Sequence, residues 1–228
     1  MHKSGFTLLE LSIVLVIIGL VVGGILVGHD LINSAKRQNV IKEATSLQQA
    51  ILAFRLKYNS LPGDMTNPDE FFGPYTWIQT TPAYRANGNG IIVADYEGAD
   101  AWNQLNLASL VAGGINGSTP ISSYSDRGVW SVGVNSASRV RNVLVIGGTQ
   151  GQEWNARPLL PSLAAFTIDA KMDDGLPETG NVVVESRLGP SQYGAGSGFD
   201  DCTTATSDGE YLREDAAAAC AISFPLNQ

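Results

Sequence analysis

No proline occurs before Pro62, so nothing in the opening stretch removes a backbone donor and breaks a helix. Cysteine is limited to Cys202 and Cys220, and histidine to His2 and His29. These few residues lie at opposite ends of the chain and do not make a mixed Cys/His metal centre. They also leave the bulk of the sequence without an imidazole for general acid–base work. Neither a Gly-x-Ser-x-Gly elbow nor a phosphate-binding loop is present. Catalysis and a bound cofactor are therefore not expected. Charge is sparse as well, with 16% Asp, Glu, Lys and Arg and a net charge of −8. That balance argues against a basic surface for nucleic acid.

What the chain does have is a long apolar run near its start. Leu11 to Val27 carries no charged residue and would span about 26 Å as a helix. Extended from Phe6 to Gly28, the segment reaches about 35 Å, enough for the hydrocarbon core of a bilayer. Within Gly5–Leu20 the one charged residue is Glu10. A carboxylate at the centre of a membrane helix costs about 2.5–3.5 kcal/mol on insertion scales, so Glu10 calls for a reason. One available reason is local: an acid favours a helix N-terminus through the dipole and can snorkel to the interface. Only Met1-His2-Lys3-Ser4-Gly5 precede the run, and no Ala-x-Ala site follows it. Both features argue against an ordinary cleaved secretory signal.

Beyond the run the pattern changes. Ala44, Leu47, Ile51, Phe54 and Tyr58 recur at intervals of three or four, which places them on one helical face. The simplest expectation is one continuous helix from about Phe6 to Tyr58, roughly 80 Å long. Its first half is apolar all round and its second half amphipathic. Leu61-Pro62-Gly63-Asp64 then supplies the stop.

Lys3 and Gly5 followed by Phe6-Thr7-Leu8-Leu9-Glu10 and an apolar helix closely resemble the N-terminus of type IV pilins and of type II secretion pseudopilins. The resemblance implies that a prepilin peptidase cuts between Gly5 and Phe6 and N-methylates Phe6. It also implies that Glu10 offsets the amine of a neighbouring subunit's Phe6 during assembly, so that the buried acid is paired. The implied organisation is a leader at residues 1–5, a membrane and filament-core half-helix at 6–28, an amphipathic half at 29–60 and an exported α+β domain at 61–228. A bacterial inner-membrane location before assembly, with the C-terminal domain outside the cytoplasm, comes from the resemblance as well. Lys36 and Arg37 after the run against Lys3 before it do not set the orientation. The implied partners are membrane lipid, the peptidase, an inner-membrane assembly platform, and copies or sibling pilins in a helical filament. Many relatives have a proline in the apolar half; here Gly19, Gly23, Gly24 and Gly28 occupy it, which fits either local softening or close helix packing.

In an exported domain Cys202 and Cys220 read as a disulfide closing a C-terminal loop, for which the chain-entropy estimate is about 3 kcal/mol. Two buried thiols are the alternative. Type IV pilins have a similar disulfide-bounded loop, which favours a pilin over a secretion pseudopilin. A membrane-anchored binding domain is the more distant alternative.

The remaining segments predict an α+β domain with the amphipathic half-helix packed on a small, mainly antiparallel sheet, as in pilins. Strands are expected at Ile91–Val93, Val129–Val134, Arg141–Ile146, Asn181–Glu185 and Ala221–Phe224. A short helix capped by Asp100 should turn Trp102, Leu105 and Ser109 to one side and end at Gly113-Gly114. Another should run from Pro161 or Ser162 to Met172 with Leu163, Phe166 and Ala170 inward. Gly189–Gly198 reads as a loop. Residues 58–64 and 168–175 also resemble segments of large pilin-like proteins. Asp169, Asp173 and Asp174 are weak candidates for calcium, because hard cations take several oxygen ligands, but a solvated helix end is the stronger reading. Asp64, Asp69 and Glu70 read as capping and loop solvation. Trp77, Trp102, Trp130 and Trp154 read as core rather than a sugar-binding surface.

Overall fold

A computed structural model describes residues 7–78, 85–94, 97–111, 120–125, 128–133, 142–148, 158–184, 202–204, 209–212 and 220–226. Helix α1 runs unbroken over Leu8–Tyr58 and dominates the molecule. It starts at Thr7, whose extended backbone caps the helix, and stops at Asn59, which adopts the left-handed conformation (φ 51°). After it come α2 (Asp69–Phe72), α3 (Glu97–Leu107), β1 (Gly128–Gly133), β2 (Val143–Gly148), α4 (Ser162–Met172), β3 (Val183–Val184) and β4 (Ile222–Pro225). The strands form one antiparallel sheet in the order β1-β2-β4-β3. The architecture is α+β: a long N-terminal helix on a small antiparallel sheet, in a pilin-like layout.

Register explains how the sheet receives the helix. Trp130 pairs with Ile146, and Ile146 with Ile222, while Leu144 pairs with Phe224. These residues share one face by the two-residue repeat of a strand. They join Val40, Ala44, Leu47, Ile51 and Phe54 of α1 in a single buried cluster. Trp102 and Leu105 from α3 and Ile168 from α4 close that core. Two polar contacts fix the helix against it. The Glu43 carboxylate accepts from Trp130 Nε1, Ser122 Oγ and Ser123 N, each at 2.9 Å. Gln48 Nε2 donates to the Pro225 carbonyl at 3.3 Å.

Several local expectations are corrected. Ile91–Val93 is not a strand: Ile92 N donates to Asn142 Oδ1 and Val93 N to the Glu97 carboxylate, so side chains take the donors a ladder would use. Helix α3 begins at Glu97 rather than at Asp100 and ends at Leu107, before the expected Gly113-Gly114. The Asp100 carboxylate accepts from Tyr75 Oη and Ile78 N, holding a preceding loop instead of capping its own helix. Ser109 lies beyond the helix, exposed, with φ 58°. Helix α4 turns Ser162, Ala164, Ala165, Ile168 and Asp169 inward, while Leu163 and Phe166 are half-buried and Ala170 is exposed. That rotation lets α4 approach closely through small residues and brings Asp169 onto a buried partner. β3 is only two residues long. Trp102 and Trp130 are buried, Trp77 is half-buried, and Trp154 and Gly189–Gly198 lie outside the described residues.

Asp64, expected in solvent, is buried. Its carboxylate accepts from Gly88 N (2.7 Å), Asn89 N (3.2 Å) and Gly90 N (2.7 Å), which satisfies a turn that would otherwise lack acceptors. At the stop after α1, Gly63 has φ 85° and passes so near the Glu97 carbonyl that a side chain would collide with it. Its N–H donates to Gln104 Oε1 at 2.7 Å, tying the end of α1 to α3.

Candidate functional site

Among the described residues, the apolar side chains of the N-terminal half of α1 are exposed and pack on no other element. Leu15, Leu20 and Val27 are 62%, 72% and 71% exposed. The segment is long and apolar enough to cross a membrane. Exposed apolar surface on this scale is a binding or insertion surface, since water opposes it with roughly 25 cal/mol for each Å² left uncovered. Side chains added at Gly19, Gly23, Gly24 or Gly28 would meet nothing within 4 Å among the described residues. The helix stays regular through all of them.

At the tip, Thr7 and Glu10 form a reciprocal capping box. Glu10 N donates to Thr7 Oγ1 at 3.3 Å, and the Glu10 carboxylate accepts from Thr7 N and Thr7 Oγ1, both at 2.8 Å. Two backbone donors at the helix start are thereby satisfied. The Thr-x-x-Glu spacing encodes this cap, so Thr7 is identifiable from sequence. Gly5 and Phe6 lie outside the described residues. Glu10 is fully in the open, with its side chain held against the end of its own helix.

At the opposite end of the molecule's sequence, Cys202 and Cys220 are disulfide-bonded, with Cα atoms 5.2 Å apart and both residues buried. One half of the bridge is tied to the start of α4 and the other to the segment just before it. Cys220 exchanges backbone bonds with Leu160, and the Cys202 carbonyl accepts from Ser162 Oγ at 2.7 Å. Tyr211, inside the disulfide loop, donates its hydroxyl to Asp169 Oδ2 at 2.7 Å and packs edge-on against Phe166. Burial pushes the Asp169 carboxyl up to about 6, partly opposed by the Tyr211 and Gly175 hydrogen bonds.

Asp169, Asp173 and Asp174 do converge, with one oxygen of each within 4.8 Å of the others. Their oxygens already serve the fold. Asp169 accepts from Gly175 N, Asp174 from Leu176 N and Thr179 Oγ1, and Asp173 from Asn181 N. Asp69 accepts from Tyr75 N and Glu70 from Asn67, so these two acids organise α2 and do not join the other cluster. Sequence reasoning missed Glu43, whose spacing of three from Val40 and four from Leu47 put it at the edge of the buried stripe.

Residues 1–26 match the family model of the prokaryotic N-terminal methylation motif. This is the type IV pilin and pseudopilin signature, and the chain carries it ahead of a pilin-like α+β fold. The match covers the first 26 of the 228 residues. No curated protein and no solved structure matches the chain.

Proposed function

We propose that this chain is a prepilin, a precursor anchored in the bacterial inner membrane that is cleaved between Gly5 and Phe6, N-methylated on Phe6 and polymerised into a type IV pilus-like filament. The observation that carries this reading is the methylation motif at residues 1–26 running directly into a half-helix that is apolar all round and unpacked. Such a helix is stable in only two surroundings, lipid and a bundle of like helices, and assembly exchanges one for the other. The four glycines admit close helix–helix approach. In the bundle Glu10 pairs with the methylated amine of a neighbour, giving up its bonds to Thr7 for an ion pair in an apolar setting. The C-terminal disulfide supports a pilin ahead of a secretion pseudopilin.

Mass spectrometry of the mature chain tests the processing. An N-methylated Phe6 at the new terminus is expected, and a retained Met1 would overturn it. Glu10→Ala should be processed normally and fail to form filaments; normal filaments would rule out the pairing role.

A further inference from the structure

Charge is divided unevenly between the amphipathic half-helix and the rest of the domain. Residues 29–60 contain five cations (Lys36, Arg37, Lys42, Arg55, Lys57) and two acids, Asp30 and Glu43, for a net +3. Residues 61–228 carry net −11. Glu43 is already committed to Trp130, Ser122 and Ser123. No ion pair of Arg55 occurs among the described residues. Arg55 borders an open groove of about 210 Å³ whose apolar lining includes Ile51, Leu52, Leu61 and Leu226. Leu52 is 52% exposed, so the groove offers both an apolar floor and the Arg55 cation at its border.

A surface of the opposite character exists on the same chain. After α4, residues 174–178 form a turn held by Gly175 N to Asp169, Leu176 N to Asp174 and Thr179 Oγ1 to Asp174. Gly175 takes φ 76°, which tightens the turn. It presents Leu176, 49% exposed, between the exposed acids Asp174 and Glu178. Because the turn is already ordered, binding through it loses little conformational freedom.

We propose that the Leu52/Arg55 groove receives the Asp174–Glu178 turn of a second copy of this chain, with Leu176 seated on the groove floor and the acids facing Arg55. The two patches share no residue, so the contact is heterologous. A heterologous contact repeats head to tail and generates a ring or an open helical filament rather than a closed dimer. This inference rests on the filament reading above and adds a domain-level contact to the helix bundle.

The test uses the full chain assembled in cells. Leu52→Cys combined with Leu176→Cys, treated with a short bismaleimide, should give a ladder of covalent oligomers from filaments, and neither single variant should. Arg55→Glu should lower filament yield about tenfold or more, as expected for a close interfacial charge pair. Adding Glu178→Arg should restore most of it. Equal monomer levels in detergent, with the same resistance to protease, exclude misfolding as the cause; Arg55→Gln, with a smaller loss, supplies a second reading. Filaments that neither cross-link nor respond to Arg55→Glu would overturn this contact and leave the filament reading standing. A wild-type chain that forms no filament would overturn both. Loss of binding to phosphatidylglycerol vesicles in Arg55→Glu, with filament yield unchanged, would assign the groove to lipid and overturn the contact.

Discussion

The two halves of α1 are one uninterrupted helix with opposite relations to their surroundings. From Val40 to Phe54, one stripe is buried against the sheet, α3 and α4, and the other face meets solvent. From Leu8 to Ile32 the large apolar side chains are exposed on every side. Among the described residues, intrachain packing therefore stabilises the second half alone. The first half has its capping box and its own backbone bonds, and the rest of its stability must come from what surrounds it. A sequence can thus hold folding and association on one element by changing the width of the apolar face.

That contrast can be broken from either end. The largest expected effect is Glu10→Ala: filaments lost, peptidase processing retained, and the unfolding midpoint of the domain in detergent unchanged. A parallel fall in domain stability would mean that the halves are not independent. In the packed half, Phe54→Ala should destabilise the domain by about 3–5 kcal/mol, measured by denaturant unfolding with Trp102 and Trp130 as fluorescent reporters. Replacing Cys202 and Cys220 together by serine should cost about 3 kcal/mol. Because the bridge fastens the loop to α4, protection of the α4 amides from hydrogen exchange should fall with it.

A smaller effect follows from pH. Burial raises the Glu97 carboxyl to about 7 and that of Asp169 to about 6, both above their ordinary values. The folded state then binds more protons than the unfolded state between about pH 4 and 7, so stability falls as pH rises through that window. The thermal midpoint should be about 5 °C higher at pH 5 than at pH 8. Glu97→Gln should flatten the profile, and a midpoint that instead rises with pH would contradict the assignment. The smallest effect is Ile17→Ala, for which domain stability should change by less than about 0.5 kcal/mol. A larger change would show that the first half packs on its own domain.

How much of this was legible in the sequence varied with the range of the forces involved. The span of α1 is local information: no proline, a suitable periodicity, and Leu61-Pro62-Gly63-Asp64 at the stop. Strands β1, β2 and β4 are built around Val, Ile, Trp and Phe, and their positions were legible to within about two residues. Ile91–Val93 had the same composition but not the same outcome. Asn142 and Glu97, distant or on the next helix, claimed its N–H groups. The face of α4 was misjudged for a related reason. Leu163 and Phe166 are more apolar than Ser162 and Asp169, yet Cys202 and Tyr211 offered buried partners to the polar pair.

By itself the sequence determined the long helix, its two characters and the cap at Thr7 and Glu10, because periodicity, hydrophobicity and capping act over a few residues. Only the tertiary structure decided which donors the buried and half-buried acids take. Asp64, Asp169 and Glu43 each take donors from segments far away in the chain, and Asp100 from a loop more than twenty residues back. A carboxylate can be buried only where such donors converge, and that convergence is a property of the folded chain.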